Sequence, residues 1–203
     1  MINDLLAYLD RIYPNPKCEL NYHKDYELLI AVMLSAQTTD KRVNKVTEVL
    51  FKKYPSIKNL SEAKISDIED IIKEIGTFRR KAIYVHEITK KLYDDGYDFV
   101  PNDRQYIESL PGVGHKSANV FLSNIYDEPA IAVDTHVARV SKRLGIAKEN
   151  DDVSKVEKKL MKKIPKDRWG KTHHQLVLFG RYHCKSVNPD CANCQIKEYC
   201  KKK

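Results

Sequence analysis

The sequence has no apolar run approaching the roughly 18 residues of a membrane span, and Met1 followed by Ile-Asn-Asp lacks the basic-then-apolar pattern of a secretory signal. A soluble, cytosolic chain with no membrane partner is the expectation. It also lacks internal repeats with periods of roughly 20 to 50 residues and any low-complexity linker, which excludes solenoids and tethered modules and predicts closely packed domains. Polar and apolar residues nowhere alternate long enough for a convincing strand, Ala130–Val133 being too short, so sheet architectures drop out as well. Acidic side chains are scarce in one half only. Residues 1–100 carry 16 basic and 16 acidic groups, whereas residues 101–203 carry 20 and 12, so the net charge of +8 belongs to the second half. That asymmetry points toward a polyanionic partner, although basic charge also serves solubility.

What the 203 residues do contain is helical periodicity almost throughout, and the fold class read from it is all-α. Apolar residues recur at helical spacing in 26–36 and 43–51. Ser66–Glu69 has the form of a capping box opening a helix that runs through Ile75 and is ended by Gly76. A further helix spans 79–93, terminated by Asp95-Gly96, and two short ones, 103–109 and 115–126, flank Leu110-Pro111-Gly112-Val113-Gly114. Helices near 135–144, 152–163 and 170–181 complete the reading. The turn at Asp127–Pro129 is the best domain boundary, because charge balance and metal-ligand content change after it.

The Leu110–Gly114 segment is the first specific motif. Its two glycines permit a tight hairpin with backbone N–H groups exposed at a helix start, a geometry that holds a phosphate oxygen without reading base sequence; an ordinary corner between helices is the alternative. Lys116 lies in the first turn of the following helix, where the positive end of the dipole should lower its pKa, as a Schiff-base amine requires. A solvated phosphate contact explains the same residue more simply. Asp134 directly precedes a helical run and is the one acid between Pro129 and Glu149. It reads either as an N-cap or as a carboxylate that stabilises cationic character at a sugar. His136 reads equally as a capping or core histidine and as a phosphate contact.

Four of the five cysteines, Cys184, Cys191, Cys194 and Cys200, fall within 17 residues with spacing C-x6-C-x2-C-x5-C. In a reducing compartment such a cluster reads as metal ligation before disulfides. The spacing matches neither the usual paired C-x2-C of structural zinc nor the ferredoxin pattern; it suits a cubane iron–sulfur cluster, with zinc still open. Cys18 reads as a buried structural thiol. Residues 155–171 carry eight basic and two acidic side chains, either a solvated helix face or a polyanion contact.

Taken together, LSAQTTD at 34–40, LPGVGHKSANV at 110–120, VDTHVARV at 133–140 and the cysteine tail resemble the endonuclease III family of DNA glycosylase/lyases, in the helix-hairpin-helix superfamily. The resemblance runs over nearly the whole chain. It implies a six-helix domain at 19–128, with the helix-hairpin-helix at about 103–126. It further implies an iron–sulfur domain made of 1–18 with 129–203, and a DNA-binding cleft between the two. It implies a 4Fe–4S cluster on Cys184, Cys191, Cys194 and Cys200, structural and electrostatic in role, holding a loop that carries Lys185 toward phosphate. Lys116 matches the family's Schiff-base lysine and Asp134 its catalytic aspartate. Gln37 matches the residue that enters the helix where a damaged nucleotide is flipped out. Thr77, followed by Phe78, stands where the family often places a bulky wedge. Leu110, Gly112, Gly114 and His136 complete the implied DNA contacts. The implied activity is removal of oxidised or ring-saturated pyrimidines from duplex DNA, followed by β-elimination at the abasic site, by a monomer. The alternatives are a related branch with mismatch or pyrimidine-dimer specificity, and a non-catalytic DNA-binding module.

Overall fold

The computed structural model describes residues 1–201. Among them eleven α-helices follow one another: α1 (Ile2–Ile12), α2 (Asp25–Leu34), α3 (Asp40–Lys53), α4 (Ile57–Ser61), α5 (Ile65–Ile72), α6 (Phe78–Asp94), α7 (Arg104–Ser109), α8 (His115–Ile125), α9 (Thr135–Arg143), α10 (Val153–Lys163) and α11 (Trp169–Leu178). No strand forms among the described residues, and no helix there is long and apolar enough to cross a membrane. The chain separates into two compact units, one of residues 19–126 and one of residues 1–18 with the segment from Asp127 onward.

The 19–126 unit is built around α2. A helix apolar on every face must be buried on every face, and Tyr26 through Leu34 all are. Glu27 is buried with them because its Oε2 accepts the backbone N–H groups of His23 and Lys24 at 2.7 and 3.2 Å, satisfying donors at the helix entrance. Around α2 pack α3, α6 and α8. They contribute Val43, Val46 and Leu50, then Val85, Ile88 and Leu92, then Ala118, Phe121 and Leu122, one amphipathic stripe each. Periodicity gives six helices here, and seven form. The extra one, α4, has five residues and begins where Ser56 Oγ accepts from Asn59 N at 3.0 Å, too short for any repeat to register. The Ser66–Glu69 box does not open α5 either. The helix begins at Ile65 with Lys64 as its N-cap, so that Ile65 joins Ile68 and Ile72 on one stripe. It ends at Ile72, and the left-handed residue beyond it is Thr77, with φ 57°, in place of Gly76.

In the other unit Leu5 and Leu9 of α1 meet Val137 and Val140 of α9, Val156 and Leu160 of α10, and Leu176 of α11 in one core. Asp10 anchors α1 through Arg168 Nη2 at 2.9 Å and Lys171 Nζ at 2.8 Å, and Gln175 Nε2 donates to it at 3.0 Å. α11 widens into a π-helical turn over Phe179–His183 that delivers the chain to Cys184.

Candidate nucleic-acid interface and catalytic groups

The hairpin that joins α7 to α8 is held from below by apolar anchors. Leu110 and Val113 are buried at 2% and 5% exposure, and Val113 N closes the turn on Leu110 O at 3.1 Å. Gly112 and Gly114 remain exposed. The two glycines do different work. Gly112 takes φ +74°, and a Cβ there would stand 2.6 Å from Tyr84 Cδ2, so the turn itself demands glycine. Gly114 is the N-cap of α8 in extended conformation, and a Cβ there would meet nothing within 4 Å. With no side chain capping α8, the first turn presents its N–H groups and the positive end of its dipole outward. Lys116 is exposed in this turn, and no described carboxylate pairs with its amine.

In the same unit Gln37 stands in the turn between α2 and α3 with φ 58°, and Thr77 stands at the entrance of α6 with φ 57°. Thr77 is exposed, Oγ1 donating to Gly76 O at 2.6 Å, while Phe78 is half-buried with the Arg79 guanidinium 5.0 Å over its ring. A β-branched residue in the left-handed region is a true outlier, so the loop imposes Thr77's conformation.

The other unit holds Asp134 and the cysteines on a common support, α9. Asp134 is its N-cap: Oδ1 accepts from Val137 N at 2.8 Å, while Oδ2 has no described partner. The capping role and an available oxygen therefore coexist in one side chain. His136 packs inside the unit, its Nδ1 lying 3.1 Å from Arg139 Nη2. Gly180 permits this, since a Cβ there would lie 2.8 Å from His136 Cβ. At the far end of α9, Arg143 grips the start of the cysteine loop: Nη1 donates to Cys184 Sγ at 3.3 Å and to Lys185 O at 2.6 Å, and Nη2 to Ser186 O at 3.3 Å. Arg139, Arg143 and Gly180 were invisible to sequence reasoning. Their partners lie about 40 residues away; Arg143 and Gly180 belong to no motif, and Arg139, though inside VDTHVARV, has no role that the motif itself shows.

Cys184, Cys191, Cys194 and Cys200 line one cavity together with Arg143, Phe179, His183 and Lys197. Burial raises the Cys194 thiol above its ordinary pKa, and the nearby charges of Cys184, Cys191 and Cys200 raise it further, so the four sulfurs feel one another. No disulfide joins them. Nor do three or more metal-binding side chains among the described residues converge on a single ion. One zinc would need its thiolates about 2.3 Å from a common centre, whereas a cubane takes one thiolate per iron and spreads its ligands around a larger body. The donor set fits the cluster better than the single ion.

A second cavity, of about 670 Å³, is lined by Thr135, Arg139, Lys142, Arg143 and Lys201 with Glu149, a basic recess on the exposed side of α9. Half of the basic stretch at 155–171 is paired inside its own unit: Lys155 with Asp152, Lys159 with Asp151, and Arg168 and Lys171 with Asp10.

The sequence profile of the HhH-GPD superfamily base excision DNA repair proteins matches residues 30–166, more than half of the chain. The chain is 47% identical over 196 residues to the Endonuclease III of Bacillus subtilis (strain 168), covering 95% of itself and 90% of that protein. It is 40% identical over 200 residues to the Endonuclease III of Escherichia coli (strain K12), covering 98% and 94%. It superposes on the protein of a trapped Endonuclease III–DNA covalent intermediate with a TM-score of 0.94 at 46% identity, covering 98% of this chain and 94% of that one. Within the superfamily, the chain belongs to the endonuclease III family.

Proposed function

We propose that this protein excises oxidised or ring-saturated pyrimidines from double-stranded DNA and cleaves the resulting abasic site, with Lys116 as nucleophile and Asp134 as its carboxylate partner. The observation that carries this reading is Lys116 in the first turn of an uncapped helix, its amine unpaired beside an open backbone hairpin. The hairpin N–H groups would take a phosphate oxygen, and the recess of Arg139, Lys142, Arg143 and Lys201 would add sequence-independent attraction. Gln37 and Thr77, both exposed, and half-buried His136 in the first turn of α9 complete the proposed DNA-facing set; the Leu110 side chain is buried, so that residue serves by anchoring the hairpin. A target nucleotide must leave the stack for its sugar to be reached, and Gln37 would fill the space it vacates.

In the reaction, the Lys116 amine donates its lone pair to C1′ as the glycosidic bond breaks and the bond's electron pair leaves with the base, which takes up a proton. The Asp134 carboxylate would supply the negative charge that stabilises the positive charge growing at the sugar. Opening of the furanose ring gives an iminium between Lys116 Nζ and C1′. Loss of a proton from C2′ then expels the 3′ phosphate by β-elimination, and water releases the lysine. Cys184, Cys191, Cys194 and Cys200 would hold a 4Fe–4S cluster, which when bound crosslinks residues 184–200. Arg143 and Lys185 then stand at the loop's entrance, the first holding its backbone and the second free to face phosphate. Such a substrate locates the protein with the chromosome.

The test is incubation of the purified protein with duplexes carrying single defined lesions in the presence of borohydride. The reading expects a covalent protein–DNA adduct on oxidised pyrimidines and none on undamaged duplex. Base release without any adduct would refute the lysine mechanism.

A further inference from the structure

The stripe that α6 turns to the core reads Lys81, Val85, Ile88 and Leu92, and its first position, where an apolar residue is expected, holds a lysine. Lys81 is 5% exposed. No described carboxylate pairs with it, and burial alone pulls its pKa below that of an ordinary lysine. Its ammonium is satisfied by one stretch of chain, donating to Leu34 O at 2.9 Å, Ala36 O at 2.6 Å and Thr38 Oγ1 at 3.4 Å. Leu34 closes α2, whose negative dipole end favours a cation. Ala36 and Thr38 are the two neighbours of Gln37. The backbone N–H of Lys81 meanwhile donates to Thr77 O at 3.1 Å. Lys81 thus bonds the two turns of the 19–126 unit in which a non-glycine residue is held left-handed, Gln37 at φ 58° through its side chain and Thr77 at φ 57° through the first backbone bond of α6. Such conformations persist only where the surroundings over-determine them.

We propose that Lys81 is a positioning residue that fixes the Gln37 and Thr77 turns as one rigid pair, so that Gln37 meets the DNA stack already in the conformation that fills it. This deepens the role given to Gln37 above and rests on that reading. A buried ammonium is costly where methionine would pack as well, so the charge is kept for what it grips. Two of its three acceptors, Ala36 O and Thr38 Oγ1, belong to the Gln37 turn, and the third is the last carbonyl of α2.

The experiment uses the full-length purified protein and two probes: a duplex containing a reduced abasic analogue, compared with the same duplex undamaged, and borohydride trapping on a single-stranded oligonucleotide with a preformed abasic site, where no stack has to be opened. Lys81→Met should lower the preference for the abasic duplex by about tenfold, matching Gln37→Ala. The double variant should lose no more than either single one. Single-strand trapping should stay at the wild-type rate, and Lys81→Arg should recover most of the preference. Additive losses in the double variant, or trapping that falls on single-stranded and duplex substrates alike, would overturn the proposal and reduce Lys81 to a stability residue. Should Gln37→Ala alone leave the preference at the wild-type value, the role of Gln37 fails; should Gln37→Ala lower it while Lys81→Met does not, only the coupling fails. If Lys81→Met does not fold, Lys81→Gln carries the same arms.

Discussion

The hairpin at 110–114 and the cysteine loop at 184–200 are both short irregular segments, and they are held by opposite means. Under the hairpin lie Ile107, Leu110, Val113, Ala118, Phe121 and Leu122, all at 5% exposure or less. Across the cysteine loop a single residue, Ile196, is buried to that degree, and the remainder hangs on polar contacts: the Arg143 guanidinium, Tyr8 and Arg11 of α1 donating to Asn193 O and Gln195 Oε1, Tyr199 donating to Asp4, and a few turn hydrogen bonds. The first segment folds by burying apolar surface and can leave its backbone donors open for a ligand. The second buries little apolar surface, and the cluster proposed for its four cysteines would supply the crosslink that offsets its ordering. A binding loop stabilised from beneath tolerates side-chain change but not change at its glycines, whereas a ligand-built loop depends on each of its ligands.

The sharpest break of that contrast is removal of a ligand. Replacing any one of Cys184, Cys191, Cys194 or Cys200 by serine should abolish most bound iron and expose 184–200 to proteolysis while leaving α2 to α8 protected from hydrogen exchange; Cys18→Ser should leave iron content unchanged. Full iron retention in a Cys194→Ser protein would show that the loop is not ligand-built.

Next in size, Asp134→Asn should slow base removal by about 10² to 10⁴ with almost no loss of thermal stability, because asparagine caps a helix as well as aspartate does. The same variant should still form a trapped adduct on a preformed abasic site, since that step needs no glycosidic cleavage. Asp134→Ala should add a stability cost of about 1 kcal/mol from the lost cap to Val137 N. Equal activity in Asn and wild-type proteins would leave Asp134 as a cap alone.

The two hairpin glycines separate folding from binding. Gly112→Val should cost about 1 to 3 kcal/mol of stability, since it must hold φ +74° against Tyr84. Gly114→Ala meets open space but puts a poor cap residue at the start of α8 and should cost about 0.5 to 1 kcal/mol, while its methyl group stands at the mouth of the N–H array and should weaken binding to abasic-site duplex measurably. Unchanged affinity in Gly114→Ala would make the segment a corner and nothing more.

The smallest effect is acid sensitivity of the unit anchored by α1. Lys171, then Gln175, hold the Asp10 carboxyl down from 3.8 to about 2. A carboxyl depressed in the folded state contributes stability that is complete above the unfolded pKa and fades as pH falls from about 4 toward 2. Asp10→Asn should therefore flatten that part of the unfolding profile, as followed by circular dichroism between pH 5 and 2; an unaltered profile would show that the pair is only a surface contact.

Local signals were legible in the sequence, and remote ones were not. Helical repeats located α3, α6 and α8 to α10 within a few residues, and Gly-x-Gly after Pro111 marked a real turn, because each depends on neighbours within one or two helical turns. α4 was lost because five residues carry no period, and the start of α5 because core registry of Ile65 outweighed the capping preference of Ser66. Lys81, Arg143 and Gly180 could not be read at all: each acts on residues roughly 40 or more positions away, so what makes them significant is tertiary. The pairing within the basic stretch at 155–171 is set by the fold in the same way: four of its eight basic residues meet Asp10, Asp151 or Asp152 there.

The most direct test of the central claim is to trap the wild-type protein with borohydride on a duplex carrying one oxidised pyrimidine, digest the adduct, and identify the modified residue by mass spectrometry. The account predicts a single modified peptide with the sugar remnant on Lys116, and loss of both adduct and strand cleavage in Lys116→Gln, with binding to the abasic analogue largely retained. Full-yield trapping in Lys116→Gln, or a remnant on any other amine, would contradict it.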